Sequence, residues 1–266
     1  DLVFYFAQEA DRALEARLTD AVRRAPVVAH SFESVSVLSA ALSDQDNRRT
    51  TIEDTTGPNN LFFNLMEQAL AENKWTYIWY MEPDVITVQR LWLDKVAWEA
   101  LTGAPAGFWI KGTIHRKDNL DFSPNYLAHR FHFNGAALYR ADDPLFASFL
   151  HAVRHYVQAR PYDFGIDELL HDVKLWGDVQ HLVHRFVYTD FVQNRHGDSI
   201  GLHEILAQHP NTFFVHGLRD ADGLYPETRR AGPDPDPDAP PRPQPAPAPQ
   251  GQPLPGAGQD PGREQG

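Results

Sequence analysis

The sequence predicts an α/β fold, a mostly parallel sheet covered by helices on both faces. Three observations carry this expectation. Short apolar runs alternate with stretches of helical periodicity from Leu2 to Val215. The 266 residues are 42% hydrophobic and include six Trp and sixteen Phe, ample for one sizeable core. Tyr77 to Met81 is an unbroken aromatic and aliphatic run, as a strand buried on both faces requires.

The elements follow in order. Leu2 to Phe6 opens as the first strand. Gln8 to Arg24 sets Ala, Leu and Val at helical spacing opposite a charged face. Val35 to Leu42 is a second apolar run, and the polar stretch Ser43 to Thr56 reads as a loop. Gly57-Pro58-Asn59-Asn60 punctuates the opening of a helix through Leu61, Leu65, Met66 and Leu70. The aromatic strand then ends at Glu82, and Leu91 to Leu101 is amphipathic. Gly107 to His115 and Phe131 to Arg140 read as strands, Pro144 to Val157 as a helix, and a further helix starts near Asp167. Arg185 to Val192 and Thr212 to Val215 are extended. No internal repeat appears.

From Ala231 the composition changes to Pro, Gly, Gln and Ala, beginning Pro233-Asp234-Pro235-Asp236. Such a segment buries too little apolar surface to offset its chain entropy. Residues 231–266 are therefore expected to be a disordered spacer, with residues 1–230 as the folded domain.

Composition excludes several classes. A net charge of −12 argues against general binding to nucleic acid or an anionic membrane surface. The absence of cysteine excludes disulfides and thiolate chemistry. No apolar run is long enough for a membrane span, and no signal peptide is recognisable. The chain starts at Asp1 directly in a strand-like run, which reads as a fragment or processed form. A preceding anchor, and with it a Golgi or ER lumen as against the cytoplasm, stays open. Phosphate-cradling, dinucleotide-binding and serine-hydrolase glycine motifs are all missing.

The chemistry-bearing residues cluster at strand ends. Ligands of open α/β sheets gather beyond the carboxyl ends of strands. Glu82-Pro83-Asp84 stands there, and two carboxylates so close are costly unless paired, solvated or bound to a cation. One reading has Asp84 bind a Mn²⁺ or Mg²⁺ that bridges two phosphates, with Glu82 assisting; the other is a solvated strand exit. The short strand Thr212 to Val215 delivers His216, either a nitrogen ligand to the same ion or a structural hydrogen-bonding residue. Asn134 and Gly135 allow a sugar to approach closely, or simply form a turn. Lys111 and Arg116 belong to a basic cluster that either screens a diphosphate or is solvated. Asp163, Asp167 and Glu168 precede the helix-like Leu169-Leu170; Asp167 or Glu168 is of the carboxylate type needed to take a proton from a hydroxyl, and all three also suit a helix start. Among thirteen histidines, His151 and His155 lie one helical turn apart, without a metalloprotease pattern.

The order of Tyr77-Ile78-Trp79-Tyr80-Met81 with Glu82-Pro83-Asp84, then Phe133-Asn134-Gly135-Ala136-Ala137-Leu138-Tyr139, then Val215-His216-Gly217 resembles the GT-A glycosyltransferases, nucleotide-diphospho-sugar transferases, and the spacing also looks like that of a group of algal and large-virus members. The resemblance spans roughly Leu2 to Leu218 and departs at Glu82, where an aspartate is usual. It implies a Rossmann-like single domain and metal-dependent transfer of a sugar from a nucleoside-diphosphate donor to a carbohydrate or glycoprotein hydroxyl. It also implies a nucleotide near the first strand, over Phe6 and Ala7. A sugar-nucleotide pyrophosphorylase and a non-catalytic carbohydrate-binding or scaffold protein are the alternatives.

Overall fold

Three small sheets, flanked by helices, make up the strands of a computed structural model that describes residues 1–51, 53–102, 107–114, 132–157, 160–172, 174, 176–195 and 201–217. Chain contacts gather Asp1–Leu224 into one unit and Tyr225–Gly266 into another. The second unit, the expected tail from Ala231, and Arg116 of the basic cluster lie outside the described residues.

The first sheet pairs β1 (Leu2–Phe6) with β2 (Val35–Ser39) in parallel, Phe4 opposite Val37. Between them run α1 (Arg12–Arg24) and α2 (Pro26–Ser31). The first helix starts later than its periodicity predicts, because the Asp11 carboxylate accepts from the Leu14 N–H and fixes the N-terminus. The expected loop after Ser43 contains α3 (Asp44–Asn47), a single turn capped by Ser43.

The second sheet has the order β3 (Tyr77–Trp79), β6 (Leu138–Arg140), β5 (Ile110–Gly112), β7 (Phe186–Tyr188). Here β6 runs antiparallel to both neighbours, while β5 and β7 are parallel. The third sheet has the order β4 (Val85–Thr87), β9 (Phe214–His216), β8 (Val192–Asn194), with β4 antiparallel to β9 and β8 parallel to it.

The α/β class therefore holds, but the expected single, mostly parallel sheet does not appear among the described residues. The physical reason sits at two turns. The Val85 N–H donates to the Glu82 carbonyl, closing a four-residue turn that separates β3 from β4. Likewise Thr189 to Phe191 breaks the expected Arg185–Val192 run into β7 and β8, with the Phe191 N–H donating to the Thr189 hydroxyl.

Strand alternation distributes β6 between two cores. Tyr139 joins Phe62, Phe63 and Met66 of α4 (Thr56–Glu72) and Phe146 and Phe149 of α6 (Pro144–Val157). Leu138 faces the other way, toward Phe214, Val192 and Phe191, with Trp92 and Val96 of α5 (Trp92–Leu101) packed alongside. Phe62 is wholly buried and stacks on Tyr162 of α7 (Tyr162–His171), ring centroids 3.8 Å apart. Burying a ring of this size contributes about 2–3 kcal/mol. Asn59 reinforces the contact, donating to the Arg160 carbonyl and accepting from the Tyr162 N–H. Among the described residues no helix is long and apolar enough to cross a membrane.

Candidate metal centre

Two backbone devices bring three side chains together. The Glu82–Val85 turn carries Glu82 at the end of β3 and Asp84 at the start of β4. The antiparallel ladder then sets Val85 opposite His216. As a result the His216 Nε2 lies 2.9 Å from Glu82 Oε2 and 3.2 Å from Asp84 Oδ1. One ligand atom from each residue falls within 4.8 Å of the others, a spacing that can hold a metal ion. The His216 side chain is only 9% exposed and that of Asp84 is 55% exposed, so the group has a fixed inner wall and an open outer side.

Electrostatics agree with that geometry. Burial lowers the His216 pKa, but the hydrogen bond and charge of Glu82, with Asp84 and Asp163 beyond, more than offset it and leave it raised. Without a cation, the acids thus favour the protonated form of His216 against its burial. Two carboxylates and an imidazole form a mixed oxygen and nitrogen donor set, suited to Mn²⁺, Mg²⁺ or Zn²⁺ on ligand type alone. The set does not specify which.

Gly135 forms the floor. A Cβ built there would clash with the Tyr162 hydroxyl and stand 2.6 Å from Glu82 Oε1, so any larger side chain requires both to shift. Tyr139 reaches the same loop, its hydroxyl donating to the Gly135 carbonyl over 2.9 Å. Burial holds the Tyr139 and Tyr162 phenols neutral, well above their ordinary range. Asn134 is buried and shapes the loop locally, its Oδ1 accepting from the Ala136 N–H.

Asp163 lies in the same field. Burial lifts its carboxyl to about 7, against the Phe164 N–H, which lowers it; the Glu82 charge adds to the rise and His216 opposes it. Its Oδ2 sits 3.5 Å from His132 Nε2, and the Phe164 ring meets the His132 ring edge-on at 4.0 Å. Sequence reasoning passed over Asp163 as a helix-start acid. The available signal was its place next to Tyr162, an aromatic flanked by Pro161, which marks a helix start packed into the core rather than a solvated one.

Other expected site residues are engaged elsewhere. Lys111 is 2% exposed, and its ammonium is bound by the Glu99 carboxylate and lies 3.2 Å from the Glu99 carbonyl. It closes the interface with α5 instead of standing free for a diphosphate, because a buried ammonium needs a buried counter-charge. Asp167 pairs with His171 at 3.2 Å, and Glu168 accepts from Arg160 at 2.6 Å. The carbonyls of Phe6 and Ala7 accept from the Ala40 and Leu42 N–H groups, which extends the link between β1 and β2.

A cleft of about 440 Å³ lies beside the centre, with Val3 and Tyr5 of β1 on one side and Tyr77 and Trp79 of β3 on another. Glu82 and Pro83 are also in its lining, whereas Phe6 and Ala7 are not. Burial pushes the Tyr5 phenol up to about 12, so its hydroxyl stays protonated.

No protein-family model, curated protein or solved structure matches this chain.

Proposed function

We propose that the chain is a metal-dependent glycosyltransferase of GT-A type, moving a sugar from a nucleoside-diphosphate donor to a hydroxyl of a carbohydrate or glycoprotein. The observation that carries this reading is the convergence of Glu82 and Asp84, on the turn between β3 and β4, with His216 of β9. Those three residues would hold Mn²⁺ or Mg²⁺, and a bound ion would supply positive charge to neutralise a departing diphosphate. Glu82 in place of an aspartate reaches one methylene further, consistent with its contact to His216 across the turn. The aromatic cleft that Glu82 helps to line has the volume of a small-molecule site and accommodates the nucleoside.

The remaining groups act on Glu82 and the acceptor. Gly135 lets Glu82 and Tyr162 pack against the loop backbone without a side chain intervening, which positions the Glu82 carboxylate. As the new glycosidic C–O bond forms and the anomeric carbon parts from the diphosphate oxygen, the acceptor proton passes to Asp163. A carboxyl near 7 suits that role at neutral pH. Asp167 and Glu168, held by His171 and Arg160, support the helix instead.

The test is a panel of nucleotide sugars incubated with the full chain and Mn²⁺, scored for release of nucleoside diphosphate. Turnover should vanish in EDTA, return with Mn²⁺, and be lost in Asp84→Ala. Undiminished turnover in chelator overturns the reading; donor binding without any turnover favours the carbohydrate-binding alternative.

A further inference from the structure

We propose that His151 and His155 form a surface chelate for a borderline divalent transition ion such as Cu²⁺, Ni²⁺ or Zn²⁺. This site is built from different residues and different donor chemistry than the acidic centre. Both residues lie on α6, four apart, so their side chains project from one face one turn above the other. The structure brings the rings together: Nε2 to Nε2 is 3.1 Å and the centroids are 4.4 Å apart.

That separation matches a chelate. With metal–nitrogen bonds of about 2.05 Å, two adjacent ligands stand about 2.9 Å apart at a right angle and about 3.3 Å apart at a tetrahedral angle. The observed 3.1 Å lies between these values. Without an ion, one ring donates its Nε2–H to the other, and a shift of that ring to its Nδ1–H tautomer presents both Nε2 lone pairs to a cation. Both residues are exposed, so water can fill the remaining positions of the coordination sphere.

The surroundings tolerate a cation. Arg154, between the two in sequence, turns to Glu67 at 2.6 Å, and also donates to Asn60 and Asn64. Its charge is therefore largely compensated on another face. The pair also occupies the carboxyl-terminal half of a 14-residue helix, where the backbone dipole favours positive charge. Two neutral imidazoles without a carboxylate select copper, nickel or zinc over magnesium, which prefers oxygen.

The probe is Ni²⁺ already held by nitrilotriacetate, which leaves two adjacent coordination positions and is too bulky for the largely buried His216. Binding to the full chain is measured in excess Mg²⁺ for the native protein, His151→Ala, His155→Ala and Asp84→Ala. The native chain and Asp84→Ala should bind alike, and each histidine variant should bind about ten-fold more weakly or worse, because a second ligand on the same helix acts at high effective concentration. Circular dichroism checks that the exposed substitutions leave the helix intact. Equal binding by native protein and both histidine variants, or loss of binding in Asp84→Ala, overturns the proposal. Neither result bears on sugar transfer, since no donor is present.

Discussion

Val85 and His216 face each other across an antiparallel ladder, and that single pairing delivers the imidazole to the two acids at the preceding turn. The centre is therefore a product of strand register. A slip of one residue would turn His216 to the opposite face.

Each member of the group should contribute to metal affinity. Glu82→Ala, Asp84→Ala and His216→Ala are each expected to weaken Mn²⁺ binding by about ten-fold or more, because even partners behind the ligands of a metal site typically matter that much. Isothermal titration of the full chain measures this. Unchanged affinity in all three variants would place the ion elsewhere.

Gly135→Ala should damage both the fold and the site. The added methyl meets the Tyr162 hydroxyl and Glu82 Oε1 at less than van der Waals distance. We expect a loss of about 1–3 kcal/mol in denaturant unfolding, together with weaker Mn²⁺ binding. Adding Tyr162→Phe removes one of the two clashing atoms and should recover part of the stability.

The pH dependence of stability should carry the mark of Asp163. Its pKa in the folded chain is raised to about 7, so folding favours the protonated carboxyl. That contribution is complete below the unfolded pKa of about 3.9 and is lost as pH rises through 7. Asp163→Asn should flatten this decline in metal-free protein, read from melting temperatures between pH 4 and 8. An identical slope in the variant would assign the titration to another group.

Lys111→Met separates the buried-pair assignment from a role at the diphosphate. Losing the ammonium leaves Glu99, itself 4% exposed, with Lys95 as the ion-pair partner 2.7 Å away. Stability should fall by about 3 kcal/mol, while Mn²⁺ affinity stays as in the native chain. A stable variant with weakened donor binding would restore the diphosphate role.

Much of the site was legible because short apolar strands reveal where they end. Tyr77–Trp79 and Phe214–Val215 announce themselves by side-chain type, and Glu82, Asp84 and His216 are the first polar groups after them. Pairing partners are a different matter. Nothing in Val85-Ile86-Thr87 specifies β9 over β3 as its neighbour, and the turn that redirects it depends on a backbone hydrogen bond to Glu82. Lys111 misled for a related reason. A lysine on a strand looks solvated until the glutamate twelve residues earlier is seen on the helix packed over it. Asp163 remained hidden because its raised pKa comes from burial, which the tertiary packing of Tyr162 and Phe164 creates.

The tight bend from Glu82 to Val85 belongs to two sheets at once, finishing one and starting the other. An ion gripped there would act as a rivet between neighbouring plates, so draining it would loosen the seam between them.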